Sequence, residues 1–199
     1  MSKELIFALI SVGLMCIGFI PLWRDIIARR TTPHPFTVWV WAILTLINIY
    51  ILLKNGEYIG MIPPVCMGIC LLWESLVWIF RIKHLMINWF DILCLSLSCI
   101  CIIYLLVFKN LLNTVILTAI VDFIAILPTF KKWWLQPWTE TIFNFFIWAI
   151  SQLFIILALE APNLETSIFW GYVFFIDIIL VVLIMYRRYY LKWWKSIFE

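Results

Sequence analysis

Seven apolar stretches divide the chain almost from end to end, at residues 5–23, 36–53, 59–80, 89–108, 111–130, 141–159 and 167–186. Each comes close to the roughly 20 residues that carry an α-helix across a bilayer's hydrocarbon core. No water is available there to backbone amides and carbonyls, so a spanning segment must be a helix or part of a closed barrel. Long unbroken apolar runs select helices, because a barrel strand shows short segments of alternating polarity. The composition agrees, at 66% hydrophobic and 13% charged with a mean hydropathy of +1.08. A water-soluble domain could not hide that much apolar surface. The expected fold is an all-α integral membrane protein with seven transmembrane helices. The opening run, MSKELIFALISVGLMCIGFI, lacks a small-residue cleavage site and is expected to be a retained first span rather than a signal peptide.

A second feature orders these spans. The stretch FIPLWRDIIARRTTPHPFTVWVWAI at 19–43 returns in reworked form as ILPTFKKWWLQPWTETIFNFFIWAI at 126–150. Pro21 aligns with Pro128, Thr32 with Thr139, Phe36 with Phe143, and Trp41-Ala42-Ile43 with Trp148-Ala149-Ile150, all at an offset of 107 residues without a gap. The shared order of proline, cations, turn and tryptophan marks a duplicated unit. The fourth span has no partner at that offset, which leaves three helices, a linker helix and three helices. With one span between them, both triplets insert in the same sense, as parallel repeats about an axis along the membrane normal. The expected units are residues 1–88, a linker helix at 89–110, and residues 111–199.

Orientation follows from the cations. Three of them, Lys3, Lys54 and Lys109, fall on the side of the N-terminus, and the other eleven lie on the opposite side. That imbalance in short loops predicts an outside N-terminus and a cytoplasmic C-terminus. The tail YRRYYLKWWKSIFE pairs aromatics with cations, as suits the headgroup level of a bilayer. The span before it holds this basic cluster beside lipid, so nucleic acid is not an expected partner.

The six cysteines, Cys16, Cys66, Cys70, Cys94, Cys99 and Cys101, all fall inside apolar runs. They read as small packing residues rather than as a disulfide framework. Cys66 and Cys70 share a helix face but have no histidine nearby, so neither a metal nor a cofactor is expected.

Polar groups inside the spans need a reason. A carboxylate at mid-span costs several kcal/mol even on the mild insertion scales. Glu74, Asp122 and Asp177 sit at such depths in the third, fifth and seventh spans, with no lysine or arginine at comparable depth. Each either faces a wet cavity or is held protonated against a neighbouring helix, Thr118 being the nearby partner expected for Asp122. Asp177 is the repeat counterpart of Cys70, Trp148 of Trp41 and Gln152 of Thr45. Trp41, Thr45 and Asn48 share one helical face, as do Asn144, Trp148 and Gln152, and Cys66, Cys70 and Glu74 form another stripe. Facing indoles ringed by amides and carboxylates predict a central pocket, in which aromatic faces take apolar or cationic groups and the polar groups fix orientation. Ordinary helix packing by the same residues is the competing expectation. His34 and Glu140 come from equivalent turns of the repeat, Pro33 being the counterpart of Glu140, and form a candidate cytoplasmic gate. Glu140 alternatively caps the sixth span.

Phe19-Ile20-Pro21-Leu22 with the basic turn Arg29-Arg30-Thr31-Thr32, and Ile126-Leu127-Pro128-Thr129 in the second half, resemble the SWEET and PQ-loop transporter superfamily over almost the whole chain. The glutamine of that superfamily's motif is replaced here by Leu22 and Thr129. The resemblance implies a substrate at the midplane, with Cys70 and Asp177 matching a polar pair, Trp41 and Trp148 an aromatic one, and Pro21 and Pro128 acting as hinges. TTPHPFTVWVW and LPTFKKWWLQPWTET also look like a bacterial membrane-protein family of unassigned activity, which implies a bacterial inner membrane. Vitamin transporters related to nicotinamide riboside uptake have a similar helix layout. The expected function is transport of a small polar solute, cationic or proton-coupled, with a non-transporting membrane subunit or sensor as the alternative. A homo-oligomer is left open. An enzyme is not expected: Asp122 and Asp177 lack the glycine-rich motif of an aspartyl pair, and no Ser/His dyad or His/Glu cluster occurs in the spans. A cavity joining Trp41, Trp148 and Asp177 is the feature that separates transport from its alternative.

Overall fold

A computed structural model describes residues 1–28, 30, 35–81, 89–139 and 141–198. Among them are seven α-helices and no strand: α1 (Lys3–Ile27), α2 (Pro35–Lys54), α3 (Ile62–Arg81), α4 (Trp89–Phe108), α5 (Leu111–Leu135), α6 (Ile142–Leu157) and α7 (Leu164–Phe198), with a short 3-10 turn at Pro137–Thr139 before α6. Four helices are long and apolar enough to cross a membrane, over Lys3–Ile27, Thr37–Lys54, Leu111–Leu135 and Leu164–Lys192. Shorter apolar helices cover Ile62–Val77, Ile92–Phe108 and Ile142–Leu157. Large apolar side chains such as Ile17, Ile69, Leu106, Phe175 and Val182 are exposed around the outside, as lipid-facing side chains would be.

Three helices outrun the apolar stretches that announced them. α1 continues to Ile27, α5 to Leu135 and α7 to Phe198, past the expected ends at residues 23, 130 and 186. Hydropathy marks where the apolar run stops, whereas Lys, Arg and Trp prolong a helix without strain. The extended end of α7 is tied to its neighbours. Arg187 Nε donates to the Trp134 carbonyl at 2.9 Å, with its guanidinium 4.8 Å from the Trp134 ring. Arg188 Nε donates to the Pro137 carbonyl, and its guanidinium lies 5.0 Å from the Trp138 ring. Such cation–aromatic pairs contribute about 0.5–1 kcal/mol each where exposed.

The packing is set by a few close pairs. α1 and α6 run antiparallel: Phe7 meets Phe154, Ser11 meets Ser151, Gly18 meets Trp148, and Asp25 accepts from the Thr141 hydroxyl at 2.9 Å. The two serine hydroxyls are 2.8 Å apart, and each also reaches the other's carbonyl at 3.1 Å. α2 and α5 are likewise antiparallel, through Asn48 to Thr118 and through Thr37 to the Ala125 carbonyl. Small and hydroxylated residues at these crossings let backbones approach where lipid supplies no hydrophobic drive. α3 packs on α1 and α2, α7 on α5, α6 and α2, and α4 on α2 and α5. One apolar core gathers around Leu44, Ile51, Phe169 and Trp170, and a second around Phe19, Trp133, Phe145 and Leu180.

Candidate functional site

Between the two cores is a cavity of about 40 Å³, room for a few water molecules. α2 contributes Trp41 and Thr45, one helical turn apart, and α5 contributes Asp122. Trp148 enters from α6, and Trp170 and Asp177 from α7. The cavity therefore joins Trp41, Trp148 and Asp177, and both halves of the chain build it. Both aspartates are buried among apolar neighbours, at 5% and 6% exposure, and no cationic side chain lines the cavity.

The two carboxyls are held differently. Asp122 accepts a 2.9 Å hydrogen bond from the Tyr172 hydroxyl, and the Trp41 indole also approaches it. The expected partner Thr118 is engaged elsewhere: its hydroxyl donates to the Val115 carbonyl at 2.8 Å and accepts from Asn48. Serine and threonine hydroxyls inside a helix readily turn back onto the preceding turn's carbonyls, which takes Thr118 from Asp122. Among the described residues, none donates to Asp177, and no hydrogen bond joins the two carboxyls. A hydrogen bond to a charged group returns about 1.5–3 kcal/mol, comparable to the cost of one carboxylate at mid-span. Asp122 has that compensation within the protein. Asp177 has none, so its oxygens are left for whatever enters the cavity.

The remaining expected residues are distributed around this centre. Asn48 donates to the Leu44 carbonyl at 2.9 Å and to Thr118, and does not line the cavity. Cys70 belongs to the second apolar core and is also off the cavity wall. Gln152 is fully buried, with neither side-chain amide atom paired, and lies outside the cavity lining. Glu74 lines a neighbouring cavity of about 20 Å³ that shares Trp41, Phe145 and Trp148 with the first. Pro21 and Pro128 lie within α1 and α5. His34 and Glu140 fall outside the described residues.

Two groups went unread in the sequence. Tyr172 is five residues before Asp177, off its helical face, and pairs with a carboxyl on another helix. Its only sequence signal is that a tyrosine inside a span needs a partner for its hydroxyl. The other group lies at the N-terminal end of the bundle. Gly56, with φ of +77°, turns the chain after α2 so that Glu57 points inward and is buried. Its carboxylate accepts from the amides of Glu160 and Ala161, while Glu160 accepts from the amide of Ile59 at 3.0 Å. Asn55 donates to Glu165 at 3.1 Å and accepts from Asn163 at 3.0 Å. The α2–α3 and α6–α7 loops are thereby clasped, each with a glutamate in the other's backbone. Two acidic residues in otherwise short loops were the available signal.

No family model, curated protein or solved structure matches the chain.

Proposed function

We propose that the protein is a membrane transporter for a small polar cation, with its site in the cavity between two triple-helix repeats. The observation that carries this reading is Asp177, a buried carboxyl without a hydrogen bond among the described residues, facing a cavity walled by indoles and free of cationic side chains. Carboxylates supply charge complementarity, and aromatic faces bind organic cations once water is excluded.

In this reading seven spans are arranged three, one and three, with units at 1–88, 89–110 and 111–199. The packing supports it. A shift of 107 residues carries the α1–α3 contact onto α5–α7, the α2–α3 contact onto α6–α7, and the α1–α6 contact onto α2–α5. Ser11 at one crossing corresponds to Thr118 at the other, and Gly18 beside the Asn144 carbonyl corresponds to Ala125, which accepts from Thr37. The layout is that of SWEET and PQ-loop transporters, in a bacterial inner membrane with the C-terminus cytoplasmic. The clasp closes the outer end, and Pro21 and Pro128 serve as hinges at the inner end.

Uptake into proteoliposomes tests the reading, using a panel of small amines, guanidines and uncharged polyols. Saturable uptake confined to cationic members is expected, and it should disappear in Asp177→Asn. A folded protein that moves none of them would make a non-transporting subunit or sensor the better account.

A further inference from the structure

The cavity that shares Trp41, Phe145 and Trp148 with the first lies toward the ends of α1 and α5 that carry the basic turns. It is lined by Thr37, Glu74, Thr129, Trp133 and Asn144. Asn144 is fully buried, and neither its amide nitrogen nor its amide oxygen has a hydrogen-bond partner. The Thr129 hydroxyl and the Trp133 indole N–H are also buried and unpaired. With the Trp148 indole N–H, five of the eight such atoms among the described residues belong to four side chains of one cavity. Each unpaired buried polar atom costs about 1–3 kcal/mol, so their concentration in one place needs a cause. Outside this cavity other buried polar groups are paired closely, as at Ser11 with Ser151 and Asn48 with the Leu44 carbonyl, Gln152 being an exception. The unpaired groups include both donors and acceptors, and the Glu74 carboxyl, which has an interaction of its own, also lines the cavity. Another cavity of about 20 Å³ is also lined by Glu74, together with Trp23, whose indole N–H is again unpaired, and Ile27 at the end of α1.

We propose that the cavity around Thr129, Trp133, Asn144 and Glu74 is a second binding station for the transported cation. It recognises a hydroxyl or amide group carried close to the charged nitrogen. This rests on the reading of the Asp122–Asp177 cavity as the site for the cation itself. The two stations divide the recognition: the first is anionic and aromatic, the second a cluster of hydrogen-bonding groups with one acid. Trp41, Phe145 and Trp148 stand between them as the shared wall. Trp148 packs against Phe19 with ring centroids 4.7 Å apart and against Phe145 at 5.7 Å, so the wall is itself braced by α1. The solute class that satisfies both stations is a small hydroxylated amine.

Ethanolamine and propylamine separate the two claims, because they match in size and charge and differ only in the hydroxyl. Thermal unfolding of the detergent-solubilised full chain is measured against concentration of each. The wild type should be stabilised by both, with ethanolamine effective at about tenfold lower concentration, the ratio expected for one added net hydrogen bond. Thr129→Val and Asn144→Leu should each bring that ratio to within about twofold while leaving the propylamine response in place. Asp177→Asn should abolish both responses. Equal responses in the wild type, or a preference that survives both variants, would overturn the second station alone. If Asn144→Leu fails to fold, Thr129→Val decides. Absence of any response in the wild type would overturn the cation site and the second station together.

Discussion

Asp122 and Asp177 share a cavity yet have different prospects under substitution. Asparagine at 122 keeps an oxygen for the Tyr172 hydroxyl, and asparagine at 177 loses nothing that the described residues supply. Both variants should therefore fold, and Asp177→Asn should match or slightly exceed the wild type in thermal stability, since a carboxyl without a hydrogen bond is removed from a buried site. Unfolding of Asp177→Asn, checked by circular dichroism on heating, would instead mark that carboxyl as part of the packing. Gly18 offers a second test. A Cβ there would lie 2.7 Å from Trp148 Nε1 and 2.9 Å from its Cδ1. Alanine improves helix propensity by up to about 1 kcal/mol. Pushing a buried indole aside costs about 1–3 kcal/mol. Gly18→Ala should accordingly be neutral to destabilising and should disturb the cavity wall, and a gain in stability with unchanged amine response would contradict the packing of Trp148 described here. At this scale the sequence was partly legible. Helical spacing placed Trp41 with Thr45 on one face and both line the cavity, whereas Asn48, on the same stripe, turned to Thr118. Periodicity assigns a face, but which neighbouring helix meets each level of that face depends on crossings the sequence does not spell out.

Among the elements, the loops that join α2 to α3 and α6 to α7 hold one end of the bundle by backbone hydrogen bonds to carboxylates. Glu57→Ala strands two amides, and at about 1.5–3 kcal/mol per charge-assisted bond it should lower the melting temperature visibly, with Glu57→Gln losing less. Equal stability of Glu57→Ala and the wild type would show that the clasp bears little. At the other end, Pro21 and Pro128 each deny their helix one hydrogen bond to the carbonyl four residues earlier. Replacing both with alanine should stabilise the two helices and slow transport if the bends are used as hinges. Unchanged transport in that double variant would mean that the prolines only shape the resting structure. The helices themselves were the most legible part, because seven apolar runs of spanning length leave little choice in lipid. Their basic ends were not, since hydropathy stops reporting where Lys131 and Arg187 begin while the helix continues. The clasp was missed for a related reason: loop glutamates look solvated until the partner loop is known.

For the whole molecule, the cation imbalance predicts that a reporter fused after Glu199 is cytoplasmic and a tag before Met1 is outside. Periplasmic activity of the C-terminal fusion would invert the assignment of the clasp to the outer face. The shared order of proline, cations and tryptophan suggests a repeat in the sequence, and the antiparallel crossings of α1 with α6 and α2 with α5 are what bring Trp41 and Trp148 to one cavity. The central claim is that this junction carries a cation through the membrane by way of Asp177. It is tested most directly by the charge displaced when proteoliposomes on a solid-supported membrane receive a step in ethanolamine concentration. The account predicts a saturable transient current in the wild type that is absent in folded Asp177→Asn and retained in Glu4→Gln, a substitution in the first turn of α1 outside the cavity lining. A current of equal size in Asp177→Asn, or none in the wild type, would contradict it.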